Sequence, residues 1–455
     1  MLSPANGGTL VADLGSIVFW LLINNKVIGL VSGAVACYLI WRTDGRFKGE
    51  RALAIGAALY LAIRAIVFLW NYECWDFEVY YQTGTAVVRG TNPYASKLSQ
   101  YLVNALPIFG LFALLPYRLS SILWYAFNLI SLFLVVRLCQ VIVRPAKAGG
   151  PHTPWYVDAH VTLAVLLAGA TTWGLDAGQL VIWTTFWIYI AIRALAVKRE
   201  VTAGFSLAAA SIKITTSFPF LLLVLDRRHW KAWIAFAAVL LALCLCLYPP
   251  SRLVELQRSQ LANVSQARQV GEINDYSFSG PYHDDMLGLE HWLYCLGLRD
   301  PSVISALQLG ILALLGLALL WDFRLSSRPR DDLLLAVLLC LYSCIFLYHR
   351  SYDAVIVALP LLYCVNRARD SDKARAILYK AIATGLVLVL NFPRGAQVLR
   401  FADWSKRSGL AGRLVQIFVL PYCTWIVLFA LLLLWFLGRR TRWNEVSHEP
   451  SHGSF

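Results

Sequence analysis

The chain has 455 residues, of which 59% are apolar and only 15% charged, a composition too oily for a soluble globular protein. No polar stretch is long enough to form a separate soluble domain, so one integral membrane domain is expected over residues 25–443. The net charge of +14 comes from short basic clusters between apolar runs, a pattern that sets membrane topology and argues against nucleic acid as a partner.

In chain order, residues 1–24 read as an interfacial or first membrane helix. The run Gly8 to Ile23 carries Asp13 and lacks the basic leader and small-residue cleavage site of a signal peptide. Apolar runs of spanning character follow at 25–41, 51–70, 119–143, 156–173, 179–197, 232–250, 302–321, 333–348, 353–365, 377–392 and 412–437. Two segments are ambiguous: 99–115 holds Pro107 and ends at Pro116, and 202–225 holds Lys213 and Pro219. Each reads as a full crossing or a re-entrant pair of half-helices, and the re-entrant form is preferred for both. The fold class is therefore an all-α polytopic membrane bundle of about 11–13 transmembrane or re-entrant helices.

Basic clusters at Arg42, Arg46, Lys48 and Arg51, at Arg227, Arg228 and Lys231, at Arg324, Arg328 and Arg330, at Arg367 to Arg375 and at Arg439 to Arg442 mark one side as cytoplasmic. The tail 444–455 joins that side. Segments 71–98, 251–301, 349–352 and 394–410 then face the other side. Most of the ten cysteines lie inside apolar runs and suit packing, whereas Cys74 and Cys295 fall in outward loops where a disulfide can form. No internal repeat is visible, which weakens a transporter-like architecture.

Asp76 is the leading candidate for chemistry. It follows an apolar span within Cys74-Trp75-Asp76-Phe77-Glu78-Val79-Tyr80-Tyr81, where a carboxylate can accept a proton from a group bound at the bilayer surface. The following residues read as a juxtamembrane helix from Phe77 to Arg89 with Tyr80, Tyr81 and Val88 on one apolar face; the plainer role for Asp76 is a helix cap. Lys213 interrupts an apolar segment and needs an anion such as a lipid phosphate, or a buried acid such as Asp176. His349 and Arg350, in Tyr348-His349-Arg350-Ser351-Tyr352-Asp353, can donate to a phosphate leaving group, unless Arg350 simply pairs with Asp353.

The longest polar segment, Pro249 to Pro301, suits a lid over an acceptor and includes Arg252, Arg258, Arg268 and Asn274. Its His283-Asp284-Asp285 cluster has the chemistry of a divalent-metal site, but solvated carboxylates are the preferred reading and no metal is assigned. Arg394 is a further boundary arginine. Gly-rich nucleotide loops and H-E-x-x-H are missing, so no cofactor is expected and any donor arrives through the membrane.

The order of several short motifs resembles glycosyltransferase family 87 of the GT-C superfamily. They are Trp75 to Gly84 leading to Gly90-Thr91-Asn92-Pro93-Tyr94, then Leu114-Leu115-Pro116, Gly178-Gln179-Leu180, and Ile212-Lys213 with Pro219 and Arg227-Arg228-His229-Trp230. The resemblance extends over about residues 51–365. It implies a GT-C-like bundle with extracytoplasmic juxtamembrane helices, in the cytoplasmic (inner) membrane with its active site on the outer face. It also implies a polyprenyl-phosphate sugar donor, mannose by family likeness, a glycolipid or glycan acceptor, and Asp76 as general base. Lys213, His349 and Arg350 are then expected at the donor phosphate, and Glu78, Tyr80, Tyr81, Gln179 and Asn274 at substrate. Two departures stand out: Gln179 is followed by Leu180-Val181-Ile182, and the Asn-Ser motif of the large loop survives only as Asn274-Asp275-Tyr276-Ser277. The alternatives are a transporter or flippase for a lipid-linked or anionic substrate, and an O-antigen-ligase-like enzyme relying on Arg258, Arg268 and His283.

Overall fold

A computed structural model describes residues 25–42, 49–71, 74–144, 158–326, 331–391 and 409–448. The expected N-terminal helix, Arg46, Lys48, Arg328, Arg330 and Arg394 lie outside the described residues. All regular elements among the described residues are helical, and one isolated antiparallel bridge joins Met286 to Arg350. That outcome follows from the apolar composition, since a lipid-facing backbone must satisfy its own hydrogen bonds.

Among the described residues, seven helices are long and apolar enough to cross a membrane: Glu50–Leu69, Tyr117–Val143, Glu200–Val224, Arg227–Leu245, Pro301–Leu325, Lys373–Asn391 and Tyr422–Arg439. Gly169–Ala177 and Leu180–Ala196 form an eighth span if taken together, although they meet at 113°. Shorter apolar helices lie at Val27–Arg42, Val103–Ala113, Asp332–Ile345 and Leu410–Val419, and the expected span at 353–365 is instead a 3-10 helix, Ser351–Val357, running into Ala358–Asp370.

The two ambiguous segments behave differently. Val103–Ala113 reaches only about 16 Å at 1.5 Å per residue, too short to cross. Pro107 opens its α-helix, where the missing N–H is harmless. Glu200–Val224, by contrast, is long enough to span, which corrects the expectation of a re-entrant loop there. Lys213 and Pro219 each fall in a 3-10 turn, Ser211–Lys213 and Phe218–Phe220, that tightens the helical path without reversing it. The sharp break lies instead in the expected spans at 156–173 and 179–197, where Ala159–Leu166, Gly169–Ala177 and Leu180–Ala196 replace two straight helices.

The juxtamembrane helix runs Trp75–Val88 and packs against the helix Leu106–Ala113. Its buried face is Phe77, Tyr80, Thr83 and Gly84, while Tyr81 is half-buried and Val88 exposed. The expected Tyr80–Tyr81–Val88 face is thus rotated. Gly84 fixes the rotation, because a Cβ there would lie 2.1 Å from the Phe109 carbonyl oxygen. Stacking of Tyr80 on Phe109, centroids 5.0 Å apart, and of Phe77 on Trp124, 5.4 Å apart, completes the packing. Cys74 and Cys295 are free buried thiols, not a disulfide: Cys74 packs against Gly178, and Cys295 meets His291 Nε2 at 3.5 Å.

Candidate active site

Asp76 sits in the first turn of the Trp75–Val88 helix, whose N-cap is Cys74. It is therefore placed favourably for the helix dipole but is not the cap. Its carboxylate accepts a hydrogen bond from Gln179 Nε2, delivered from the break between Gly169–Ala177 and Leu180–Ala196. Gly178 makes that break possible. Its φ of +72° is left-handed, its carbonyl accepts from Trp124 Nε1 at 2.8 Å, and a Cβ there would sit 2.8 Å from Phe77 Cβ. Behind Gln179, Tyr80 Oη donates to its Oε1 at 3.5 Å and shares a 2.8 Å hydrogen bond with Tyr101 Oη.

A cavity of about 610 Å³ opens onto Asp76 and brings Tyr80, Gln179, Lys213, Asn274 and Arg350 into one wall. Lys213 pairs with Asp353 and lies 5.3 Å from the centre of the Tyr352 ring. The acid weighed as its alternative partner, Asp176, pairs with Arg64 instead. Arg350 Nε donates to Tyr348 Oη at 2.5 Å, and its Nη2 donates to the Ile273 carbonyl at 2.9 Å and Asn274 Oδ1 at 3.4 Å. The guanidinium also lies 4.4 Å from the Tyr282 ring. The suggested Arg350–Asp353 ion pair is thereby replaced: only the Arg350 main-chain N–H faces Asp353 Oδ2, at 3.4 Å.

Three candidates lie outside the cavity wall. Glu78 is exposed and accepts from Gln82 at 3.0 Å, and Tyr81 donates to the Leu115 carbonyl at 2.9 Å. His349 is buried behind Asp353, with Nδ1 2.8 Å from Asp353 Oδ2 and Nε2 without a hydrogen-bond partner. Conversely, Gln100, Tyr101, Tyr282 and Asp353 line the cavity without having been singled out as substrate contacts. Gln100 and Tyr101 fall where the sequence looked like the start of a membrane segment. Asn274 Nδ2 donates to Gln100 Oε1 at 2.9 Å, tying the large loop to that segment.

The large loop covers the cavity. Gln260, Leu261 and Val264 line it from the Pro250–Ala267 helix and Arg268 from that helix's C-cap, with Arg268 ion-paired to Glu290. Asp285 is buried and accepts from Ser351 Oγ, contrary to its expected solvation, and His283 Nδ1 meets the Gly280 carbonyl at 2.8 Å. A different group, Glu50, Asp158 and His160, brings ligand atoms within 4.8 Å of one another, but Arg144 and Arg369 already hold Asp158 at 3.1 and 2.8 Å.

Burial pushes the Asp76 carboxyl above the usual carboxylate range. The Arg350 charge, the Gln179 hydrogen bond and the Lys213 charge oppose that rise, and Asp353 adds to it. Burial raises the phenols of Tyr80 and Tyr101 further from ionisation, so both act as neutral hydrogen-bonding groups.

The described residues are all helical with seven or eight candidate membrane spans, and one cavity brings the half-buried Asp76 together with Lys213 and Arg350. The chain matches Glycosyltransferase family 87 over residues 101–348, more than half of its length, and belongs to that GT-C family. It is therefore a membrane glycosyltransferase, which sets the transporter alternative aside. The matched interval begins after Asp76 and ends just before His349, and so contains Gln179, Lys213 and Asn274. Among curated proteins no match was found.

Proposed function

We propose that the protein transfers a hexose, mannose by family likeness, from polyprenyl phosphate to a hydroxyl of a lipid or glycan acceptor. The transfer inverts the anomeric carbon and takes place on the outer face of the cytoplasmic membrane. The observation that carries this reading is that Asp76, Lys213 and Arg350 share one cavity under the large loop.

In this reading Asp76 removes the acceptor hydroxyl proton as the oxygen attacks the anomeric carbon, and the bond to the donor phosphate breaks in the same displacement. Burial favours the task, because a carboxylate held above its usual range is a stronger base. Arg350 and Lys213 stabilise the charge that grows on the departing phosphate, and His349 supports them from behind Asp353. Gln179 keeps the reactive carboxylate pointed into the cavity. Tyr80 and Asn274 offer neutral donors and acceptors for sugar hydroxyls.

The test uses membranes carrying wild-type or Asp76→Asn protein, supplied with polyprenyl-phosphate mannose and lipid acceptors. Wild type is expected to release polyprenyl phosphate and form a glycosylated acceptor, with a loss of about a thousandfold in Asp76→Asn. Undiminished transfer by folded Asp76→Asn removes Asp76 as the base.

A further inference from the structure

Asp353 poses a problem for a phosphate-binding cavity, because an ionised carboxylate in its wall repels the ligand the cavity is built to hold. Each of its oxygens has a partner: Oδ1 takes Lys213 Nζ, and Oδ2 lies 2.8 Å from His349 Nδ1. Asp353 and His349 are both buried, at 3% and 1% exposure, and of the two only Asp353 reaches the cavity. An ionised carboxylate at Nδ1 requires the proton on that nitrogen and so fixes the imidazole's tautomer and orientation. The lysine, in turn, projects from between Ile212 and Ile214 on a flexible four-carbon stem, which on its own carries the charge toward water.

Arg350 offers the contrast. Its guanidinium is held by Tyr348, Ile273, Asn274 and the Tyr282 ring, and it makes no ion pair among the described residues. The positive charge of Lys213 is matched by Asp353 in a direct ion pair, whereas the contacts of Arg350 are neutral and the charges of Asp76 and Asp285 act on it only at longer range. Resting on the proposed reaction, we infer that Asp353 is a positioning residue that holds the Lys213 ammonium in the cavity wall, braced by His349, while Arg350 supplies the charge that attracts the donor phosphate. Lys213 then acts by direction more than by attraction, so its support is felt in turnover and not in donor binding.

A double-mutant cycle tests this on the full-length protein, reading kcat and donor KM separately with polyprenyl-phosphate mannose. In the wild-type background, Asp353→Asn is expected to lower kcat by about 10- to 100-fold with donor KM changed less than about threefold. In a Lys213→Met background the same change is expected to cost less than about threefold, because nothing remains to be positioned. Equal fold losses in the two backgrounds, unchanged kcat in Asp353→Asn, or a loss carried by donor KM overturns the inference. The Lys213→Met/Asp353→Asn protein removes both charges together, so a loss of more than about threefold relative to Lys213→Met overturns the inference even if Asp353→Asn alone fails to accumulate. Asp76→Asn runs in the same assay: if it retains transfer, the proposed reaction fails, and if it is inactive, the cycle bears on Asp353 alone.

Discussion

The Asp76 carboxylate is held by Gln179, a residue 103 positions away in the chain, across a helix break centred on Gly178. The carboxylate and its support thus come from separate elements, and the break that joins them depends on one residue without a side chain. Gly178→Ala should cost about 1–2 kcal/mol from the left-handed backbone alone, with the contact to Phe77 added. The measurements are thermal unfolding of purified protein and transfer rate. Full activity at unchanged stability would show that the break tolerates a methyl group.

Gln179 also sets the pH response. In the proposed reaction Asp76 acts in its ionised form, so kcat/KM should fall toward acid with its half-point above the ordinary carboxylate value of about 3.9. The hydrogen bond from Gln179 and the charge of Arg350 both lower the Asp76 pKa. Gln179→Met and Arg350→Gln should each move the acid limb to higher pH. A shift toward lower pH in either variant contradicts the electrostatics described here.

For stability the sign runs the other way. Folding raises the Asp76 pKa above its unfolded value, so the protonated form is favoured in the fold. Its contribution is fully present below the unfolded pKa and is lost as pH rises through the folded one. At pH 7 the neutral Asp76→Asn protein should melt no lower than wild type while losing transfer. Melting curves across pH 4 to 8 would separate this from simple misfolding.

Arg350→Lys keeps the charge but not the planar fork that reaches Tyr348, Ile273 and Asn274 together. Donor KM should rise about tenfold, in keeping with the loss of a charge-assisted hydrogen bond. Steady-state titration of the donor checks it.

Asp158→Asn serves as a control remote from the cavity. Asp158 is buried between Arg144 and Arg369 and beside Glu50, at the far end of the helix Glu50–Asn71, about 30 Å along its axis from the residues leading to Asp76. Leaving two arginines without their acid should lower stability by about 3 kcal/mol and leave the acid limb of the pH profile in place. Denaturation and pH–rate curves read the two effects independently.

The sequence made some of these residues visible because they violate local expectations. Asp76 is a carboxylate against a span, and Lys213 breaks an apolar run. Partners were harder to see: Lys213 meets Asp353 from 140 positions away, and no periodicity encodes that pairing. Helix phase was a second blind spot. Glu78 lies roughly 200° around the helix from Asp76, and the rotation was set by Gly84 against Phe109, a contact between elements. Proline and a buried lysine made 202–225 look broken, whereas 3-10 turns absorb both and the break falls at Gly178.

The cover and the cation are mechanically one device. Ile273 and Asn274, from the large loop, supply two of the oxygens that hold Arg350, and Asp285 from the same loop is tied to Ser351 next to it. A change that shifts this loop therefore also removes two of the acceptors that fix the arginine, leaving Tyr348 as its remaining side-chain hydrogen-bond partner.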